Sequence, residues 1–390
     1  METNDETRRE TRRKASRYVV PVAVAGVAAA TIGLVPALAA SGDPDLPEIT
    51  AQQLIEKIAA SDTQTLSGTF KISTDLGLPS FAGLLDGVAG GAGGASSADP
   101  ADRLTELVSG SHTLRVAADG PDRQKLTLLD GSDEYSLVHN GDDVWGYDSK
   151  SGEVFHEKAE GGPHGKPEKP VPSTPKELAD EVLKAAGGTT SITVGDTAKV
   201  AGRDAYQLVI KPKQSGSTVE SIRIAVDAAN GTPLKFTLAS TSGGKPVLDA
   251  GFTKVDFGRP DASTFDFKAP KGAKVTEGAA ENEAGKPEDL AKGFMGPFAD
   301  LEKGGAPNVI GEGWTTIAKL DTGAPAPKTE EAPKEAQGFL DALGDKVSGK
   351  FGSGTVFKTK LVNALMTDDG KVYVGAVTPD ALVDAANAGK

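Results

Sequence analysis

From Leu66 to Phe267, apolar and polar residues alternate in short runs separated by turn-forming pairs, the pattern of half-buried β-strands. Leu66 to Thr74 places Phe70 and Ile72 on one face. Between Ser111 and Lys158 the turn signals Asp119-Gly120, Asp130-Gly131, Asn140-Gly141 and Ser151-Gly152 recur every ten or eleven residues, the spacing of an up-and-down meander. Leu126 with Leu128, Tyr135 with Leu137, and Trp145 with Tyr147 make same-face pairs. Beyond the turn Ala201-Gly202-Arg203-Asp204, a strand places Tyr206, Leu208 and Ile210 on one face. Ser221 to Asp227 and Leu234 to Leu238 flank Asn230-Gly231, a pair suited to two positive φ values in a hairpin. Phe252 to Phe257 and Phe265 to Phe267 predict two more short strands, ended by Pro260 and Ala269-Pro270.

Two helical patterns interrupt the strands. Thr50 and Gln53 form a capping box, Ile49 and Leu54 a hydrophobic staple, and Ile55 and Ile58 extend the stripe. Thr174-Pro175-Lys176-Glu177 opens a second helix with Leu178, Val182, Leu183 and Ala186 on one side, ending at Gly187-Gly188. Residues 76–99 form a Gly/Ala-rich insertion carrying Phe81, Leu84, Leu85 and Val88; it reads as a disordered insertion or as an apolar flap at a cavity mouth. Asp99-Pro100 predicts a brief helix with Leu104, Leu107 and Val108 inward, and residues 160–173 read as loop. After a charged linker, 276–305, the remaining residues 306–390 predict a small α+β domain. Its signals are Trp314 to Leu320, a Pro-rich stretch from Ala324 to Pro333, a helical stripe of Phe339, Leu340, Leu343 and Val347, Gly354 to Met366, a hairpin over Asp369-Gly370, and a helix capped at Thr378-Pro379-Asp380.

At the other end, Arg8, Arg9, Arg12, Arg13, Lys14 and Arg17 precede an uncharged run from Tyr18 to Ala40. Residues 1–40 read as an export signal, either cleaved after the small-x-small triplet Ala37-Leu38-Ala39 or retained as a membrane anchor. Either outcome delivers the rest of the chain outside the cytoplasm. Beyond residue 40 there are 36 basic and 51 acidic residues, a balance that argues against nucleic acid and anionic surfaces as partners. The chain has no cysteine, so disulfides, thiolate metal sites and a lipid anchor on cysteine are excluded.

Reactive constellations are not apparent. His112, His139, His156 and His164 lack metal-ligand spacing and read as exposed strand or loop residues. Asp142-Asp143 and Asp368-Asp369 fall at tight turns, where aspartate is favoured for backbone reasons, and the turn likewise accounts for the glycosylation-like triplet Asn230-Gly231-Thr232. No G-x-S-x-G, Walker A, G-x-G-x-x-G, H-E-x-x-H or EF-hand pattern occurs. A non-enzymatic protein without cofactor or metal is expected. The inward candidates are Phe70, Ile72, Leu126, Leu128, Trp145, Tyr206, Leu208, Phe236 and Leu238, which serve either as plain core or as the lining of an apolar cavity.

The stretches "AGRDAYQLVIKP", "IRIAVDAANGTPLKFTL" and "FTKVDFGRPDASTFDFKAPKGAKV", with "NGDDVWGYDSKSGEVF" in the meander, resemble the LolA-like superfamily in an actinobacterial form. That superfamily includes bacterial lipoprotein carriers, mycobacterial lipid-carrying lipoproteins and the sensor domain of RseB/MucB-type regulators. Over residues 47–275 the resemblance implies an α+β fold: a half-open, strongly curved antiparallel β-sheet, an incomplete barrel, crossed by α-helices. It also implies one of two functions. The first is an extracytoplasmic carrier or chaperone that shields a lipid or acylated lipoprotein in an apolar cavity. The second is a sensor that binds a membrane-bound anti-sigma factor or another envelope protein. The insertion and the C-terminal domain depart from a minimal carrier, and the two-domain layout suits the sensor.

Overall fold

The computed structural model describes residues 44–77, 97–100, 103, 107, 109–158, 175–278, 308–321 and 344–389. Helix α1 (Ala51–Ala59) leads into strand β1 (Thr65–Thr74). The meander follows as β2 (Gly110–Asp119), β3 (Arg123–Asp130), β4 (Asp133–Asn140), β5 (Asp143–Asp148) and β6 (Glu153–Lys158). Helix α2 (Pro175–Ala186) separates it from β7 (Thr190–Val194), β8 (Ala198–Val200), β9 (Arg203–Pro212), β10 (Val219–Asp227), β11 (Pro233–Ser240), β12 (Leu248–Asp256) and β13 (Lys274–Glu277). These thirteen strands form one sheet in the order β13-β6-β5-β4-β3-β2-β1-β12-β11-β10-β9-β7, with β8 also on β9. Every pairing is antiparallel except β13 with β6. The two ends of this path do not pair, so the sheet curves without closing. The half-open antiparallel sheet crossed by helices, implied by the resemblance, is therefore the architecture that the chain forms.

The turn chemistry explains the meander. Gly120, Gly131, Gly141 and Gly152 all have positive φ, where a Cβ would be strained. The hairpin over Asn230-Gly231 differs from expectation, because only Gly231 takes a positive φ. Asp227 explains the difference: its carboxylate accepts the N–H groups of Ala229 and Asn230, and the Asn230 side chain accepts that of Thr232, so side-chain oxygens shape a longer loop. A two-residue turn with both φ values positive occurs instead at Ala201-Gly202, between β8 and β9.

The capping box on Thr50 forms as expected, with reciprocal bonds between Thr50 and Gln53. Helices α1 and α2 pack side by side over β7 and β9. Residues 1–43, the insertion from 78 to 96 and the helix-opening Thr174 lie outside the described residues. So do Leu104 and Val108, although Pro100 and Arg103 are helical. Phe265 to Phe267 is not a strand. Residues Ala262–Phe265 form a 3₁₀ turn capped by Asp261, which lets Phe265 become fully buried against the meander.

The second sheet comprises β14 (Asn308–Ile310), β15 (Ile317–Asp321), β16 (Gly344–Gly349), β17 (Gly352–Phe357), β18 (Asn363–Thr367) and β19 (Lys371–Gly375), in the order β14-β15-β19-β18-β17-β16. Helix α3 (Pro379–Ala388), capped by Thr378 as expected, lies on it over β18 and β19. Val347 belongs to strand β16 rather than to a helical stripe, because its segment pairs with β17; Phe339, Leu340 and Leu343 are outside the described residues. The small sheet docks on the large one. Thr218 N–H donates to Ala376 O (3.0 Å), Thr378 N–H to Gly216 O (2.8 Å) and Lys360 N–H to Leu76 O (2.8 Å). Trp314 donates from Nε1 to Thr190 Oγ1 (2.7 Å) and packs with Leu361 against the cluster beneath the helices.

A candidate apolar groove on the helix side of the sheet

In an antiparallel pair, residues directly opposite share a face, so register assigns each candidate side chain to one side. One row of partners runs Ile72, Ala250, Phe236, Ile224, Leu208 and Val194 across β1, β12, β11, β10, β9 and β7. A neighbouring row holds Leu238, Ile222, Ile210 and Ile192. A third runs Phe252, Phe70, Leu114, Leu128 and Tyr135. All three rows lie on the side that carries α1 and α2.

This side holds two apolar clusters. Under the helices, Tyr206 and Leu208 are buried with Leu54, Ile55, Ala179, Ile210, Ile222 and Ile224. Under residues 97–100, 103 and 107, Phe70 and Leu128 are buried with Leu114, Tyr135 and Phe252, with Leu107 packed on them. Tyr135 donates to Ala98 O (3.1 Å), and burial, followed by the charge of Asp99, pushes its pKa well up, so it stays a neutral donor. Phe70, Leu128, Tyr206 and Leu208 are buried, at 0%, 5%, 7% and 2% exposure. Ile72, Leu126, Phe236 and Leu238 are only half-buried, and each packs at the edge of a cluster. Ile72 lies on β1 and Phe236 and Leu238 on β11, with β12 between them in the sheet. Ala250, small and half-buried, lies between Ile72 and Phe236 in the same row. Of the described residues, these form a half-buried apolar seam between the two clusters.

Trp145 is placed elsewhere. Its partners Val138 and His156 share the opposite face, while its chain neighbour Gly146 faces the helix side opposite Leu137. The sequence period pairs Trp145 correctly with Tyr147, but both point outward, where residues 257–268 run across the meander as a strap. Phe267 packs on Trp145 and Tyr147, and Asn140 donates from its side chain to Phe265 O.

His156 departs from the exposed histidine expected. Its ring stacks on Trp145 with centroids 3.8 Å apart, its side chain is 12% exposed, and it bridges Asp143 (2.9 Å) and Glu277 (2.8 Å). Burial lowers its proton affinity, but the hydrogen bonds it donates to these two carboxylates, with their charges, outweigh that and raise its pKa. Asp143 thus serves more than its turn. In the second sheet, Asp369 pairs with Lys371 and accepts from Thr367. No group of three or more metal-ligating side chains occurs among the described residues.

The outer face also carries a cleft of about 700 Å³ between the strap and strands β1, β2, β3 and β12. Arg115, Lys125 and Lys254 line it, with Thr69 and Thr127 between them, Thr264 on the strap, and Glu134 and Asp256 at the sides. Sequence reading did not single out these cations. Arg115 and Lys125 lie on the consecutive strands β2 and β3, but Lys254 comes from far along the chain, and only the β1 pairings bring it beside them.

No family model and no curated protein matches this chain. Solved structures similar to it include the Pseudomonas aeruginosa MucA/MucB complex, at 16% identity and a TM-score of 0.38, covering 86% of this chain and 96% of that one. A LolA superfamily protein from Nitrosomonas europaea matches at 11% identity and a TM-score of 0.21, over 56% of this chain and 99% of that one. A putative outer membrane lipoprotein-sorting protein domain from Vibrio parahaemolyticus matches at 12% identity and a TM-score of 0.21, over 55% and 95%. At these values the likeness assigns no function.

Proposed function

We propose that this protein is a non-enzymatic extracytoplasmic carrier that shelters the acyl chains of a lipid or lipoprotein in the seam on the helix side of its sheet. The observation that carries the reading is the half-buried row Ile72, Ala250 and Phe236, with Leu238 beside it, in the middle of a face whose flanks are fully packed. An alkyl chain laid along this row would gain about 0.8 kcal/mol per buried methylene without any polar contact. Displacement of α1 and α2, which rest on β7 and β9 rather than on the seam, would widen the groove for loading and release. Residues 1–40 would route the chain across the membrane and either leave it free or hold it there.

One feature favours a second reading, a sensor that binds an envelope protein. The small sheet is fixed to the large one through backbone bonds at residues 216–218 and 76, so the two would move as a unit and offer a composite surface. Native mass spectrometry of the protein purified from its producing cell envelope, followed by lipid extraction, separates the two. Acyl species bound near unit stoichiometry are expected of the carrier. Lipid-free protein that also fails to take up a fluorescent fatty-acid analogue overturns that reading in favour of the protein-binding sensor.

A further inference from the structure

The carrier reading leaves the outer cleft unused. We infer that the cleft lined by Arg115, Lys125 and Lys254 is a second binding site, for a compact phosphate-bearing anion.

Register defines the arrangement. Lys254, Thr69, Arg115 and Thr127 are consecutive partners across β12, β1, β2 and β3, and Lys125 lies two residues along β3 on the same face. At roughly 4.8 Å between strands, the α-carbons of Lys254 and Arg115 are about 10 Å apart, with a threonine hydroxyl between them. Three long cationic side chains therefore converge on one hydroxyl-bearing floor. Thr127 is buried and shares a 3.1 Å hydrogen bond with Ser136, which fixes that floor.

The three cations are not ion-paired, in contrast to their surroundings. Elsewhere on this sheet Lys235 pairs with Asp249, Arg203 with Asp227, Arg123 with Asp119, and Lys274 with Glu153. Arg115, Lys125 and Lys254 have no carboxylate within ion-pair distance among the described residues. The two acidic residues at the sides, Glu134 and Asp256, form no ion pair with them, which leaves three cations against two carboxylates around the cleft. Asp256 accepts the N–H of Gly258, and Glu134 stands at the start of β4. Neighbouring cations repel one another, and an anion between them relieves that repulsion locally, against the net charge of −13 of the chain as a whole.

The chemistry selects the class of anion. Arginine offers a planar fork to phosphate oxygens, the lysines add point charges, and Thr69 and Thr264 supply hydroxyl donors. The strap bounds the cleft on one side, and the carboxylates of Glu134 and Asp256 repel an extended polyanion at its sides. A phosphate or diphosphate group fits this pattern and a nucleic acid does not. Its source is either a soluble phosphate ester or a phospholipid headgroup.

Isothermal titration of the full chain with sodium pyrophosphate tests the inference, with R115Q/K254Q as the variant and K211Q, which removes a lysine elsewhere on the sheet, as the control. Arg115 and Lys254 are exposed, so the variant should fold, and circular dichroism confirms it. One-to-one binding is expected, weakened by roughly tenfold or more in R115Q/K254Q and unchanged in K211Q. No binding by the wild type, or equal binding by both variants, overturns the site. Dihexanoyl phosphatidic acid forms the second arm: tighter binding than pyrophosphate, still lost in the double variant, assigns a lipid headgroup, and equal or weaker binding assigns a soluble phosphate ester. Acyl uptake by R115Q/K254Q should stay at the wild-type level, which keeps this test separate from that of the seam.

Discussion

Replacing Asp227 tests the account of the β9–β10–β11 unit that supports the apolar seam. Its side chain is 1% exposed and meets Arg203, whose Nε donates to Oδ2 and whose Nη2 donates to Oδ1 at 3.0 Å. Oδ1 also accepts the N–H groups of Ala229 (2.9 Å) and Asn230 (3.0 Å), so one carboxylate ties strand β9 to the β10–β11 loop. In Asp227→Asn, the amide oxygen can keep the three bonds to Oδ1 while the charge and the bond to Nε are lost. The expected cost is about 1.5 to 3 kcal/mol, the range for a charge-assisted bond. Asp227→Ala removes all four bonds, but Arg203 is a third exposed and the Ala229 amide lies at an exposed residue, so water recovers part of the loss. About 3 to 4 kcal/mol is then expected, near the lower end for breaking a buried pair.

Burial works against ionisation of Asp227, yet the bonds from Arg203, Asn230 and Ala229 hold its pKa below the ordinary carboxylate value. A depressed folded pKa means stability that is complete above the unfolded value, about 3.9, and lost as pH falls through the folded one. The gap between wild type and Asp227→Ala should therefore be constant from pH 7 to about 5 and shrink below about 4. Urea denaturation midpoints across this range, with Arg203→Met and the double variant completing a cycle, measure both quantities. A coupling energy below about 0.5 kcal/mol, or a gap that widens in acid, would refute the reasoning.

His156→Gln should weaken attachment of β13 only in acid. With its folded pKa raised, His156 stabilises that pairing fully below about pH 6.5 and loses the effect as pH rises through the folded value. Because Glu277 is 70% exposed, the gain should be about 1 kcal/mol at most, read from amide exchange at residues 274–277 in both proteins. Ala201→Gly should raise stability by about 0.5 to 1 kcal/mol, since alanine there holds φ at 52° in a region that glycine enters freely; an unchanged or lower melting temperature would contradict this. Gly146→Ala should cost about 1 to 3 kcal/mol, because its Cβ would come 2.4 Å from Ala98 O and 2.8 Å from the Tyr135 hydroxyl, and wild-type melting would show that residues 97–98 do not press on the sheet.

The strands, their turns and the capped helices were legible in the sequence because they depend on local chemistry. Positive-φ glycines that directly follow Asp119, Asp130, Asn140 and Ser151 set the meander, and Thr50 and Thr378 announced α1 and α3. Alternation also revealed which neighbours share a face, as for Phe70 with Ile72 and Trp145 with Tyr147. It could not reveal which face, because a period of two is the same on either side of a sheet. That choice came from tertiary packing: Phe267 and His156 close over Trp145 on the outside, while α1, α2 and Leu107 pack on the side of Phe70, Tyr206 and Leu208. Packing also set the depth of burial, since Leu208 and Phe236 stand in one row with the same local pattern, yet Leu208 is buried and Phe236 half-buried. The outer cations were hidden for the same reason. Arg115 and Lys254 are 139 residues apart in the chain and meet only because β1 pairs with β2 on one side and β12 on the other.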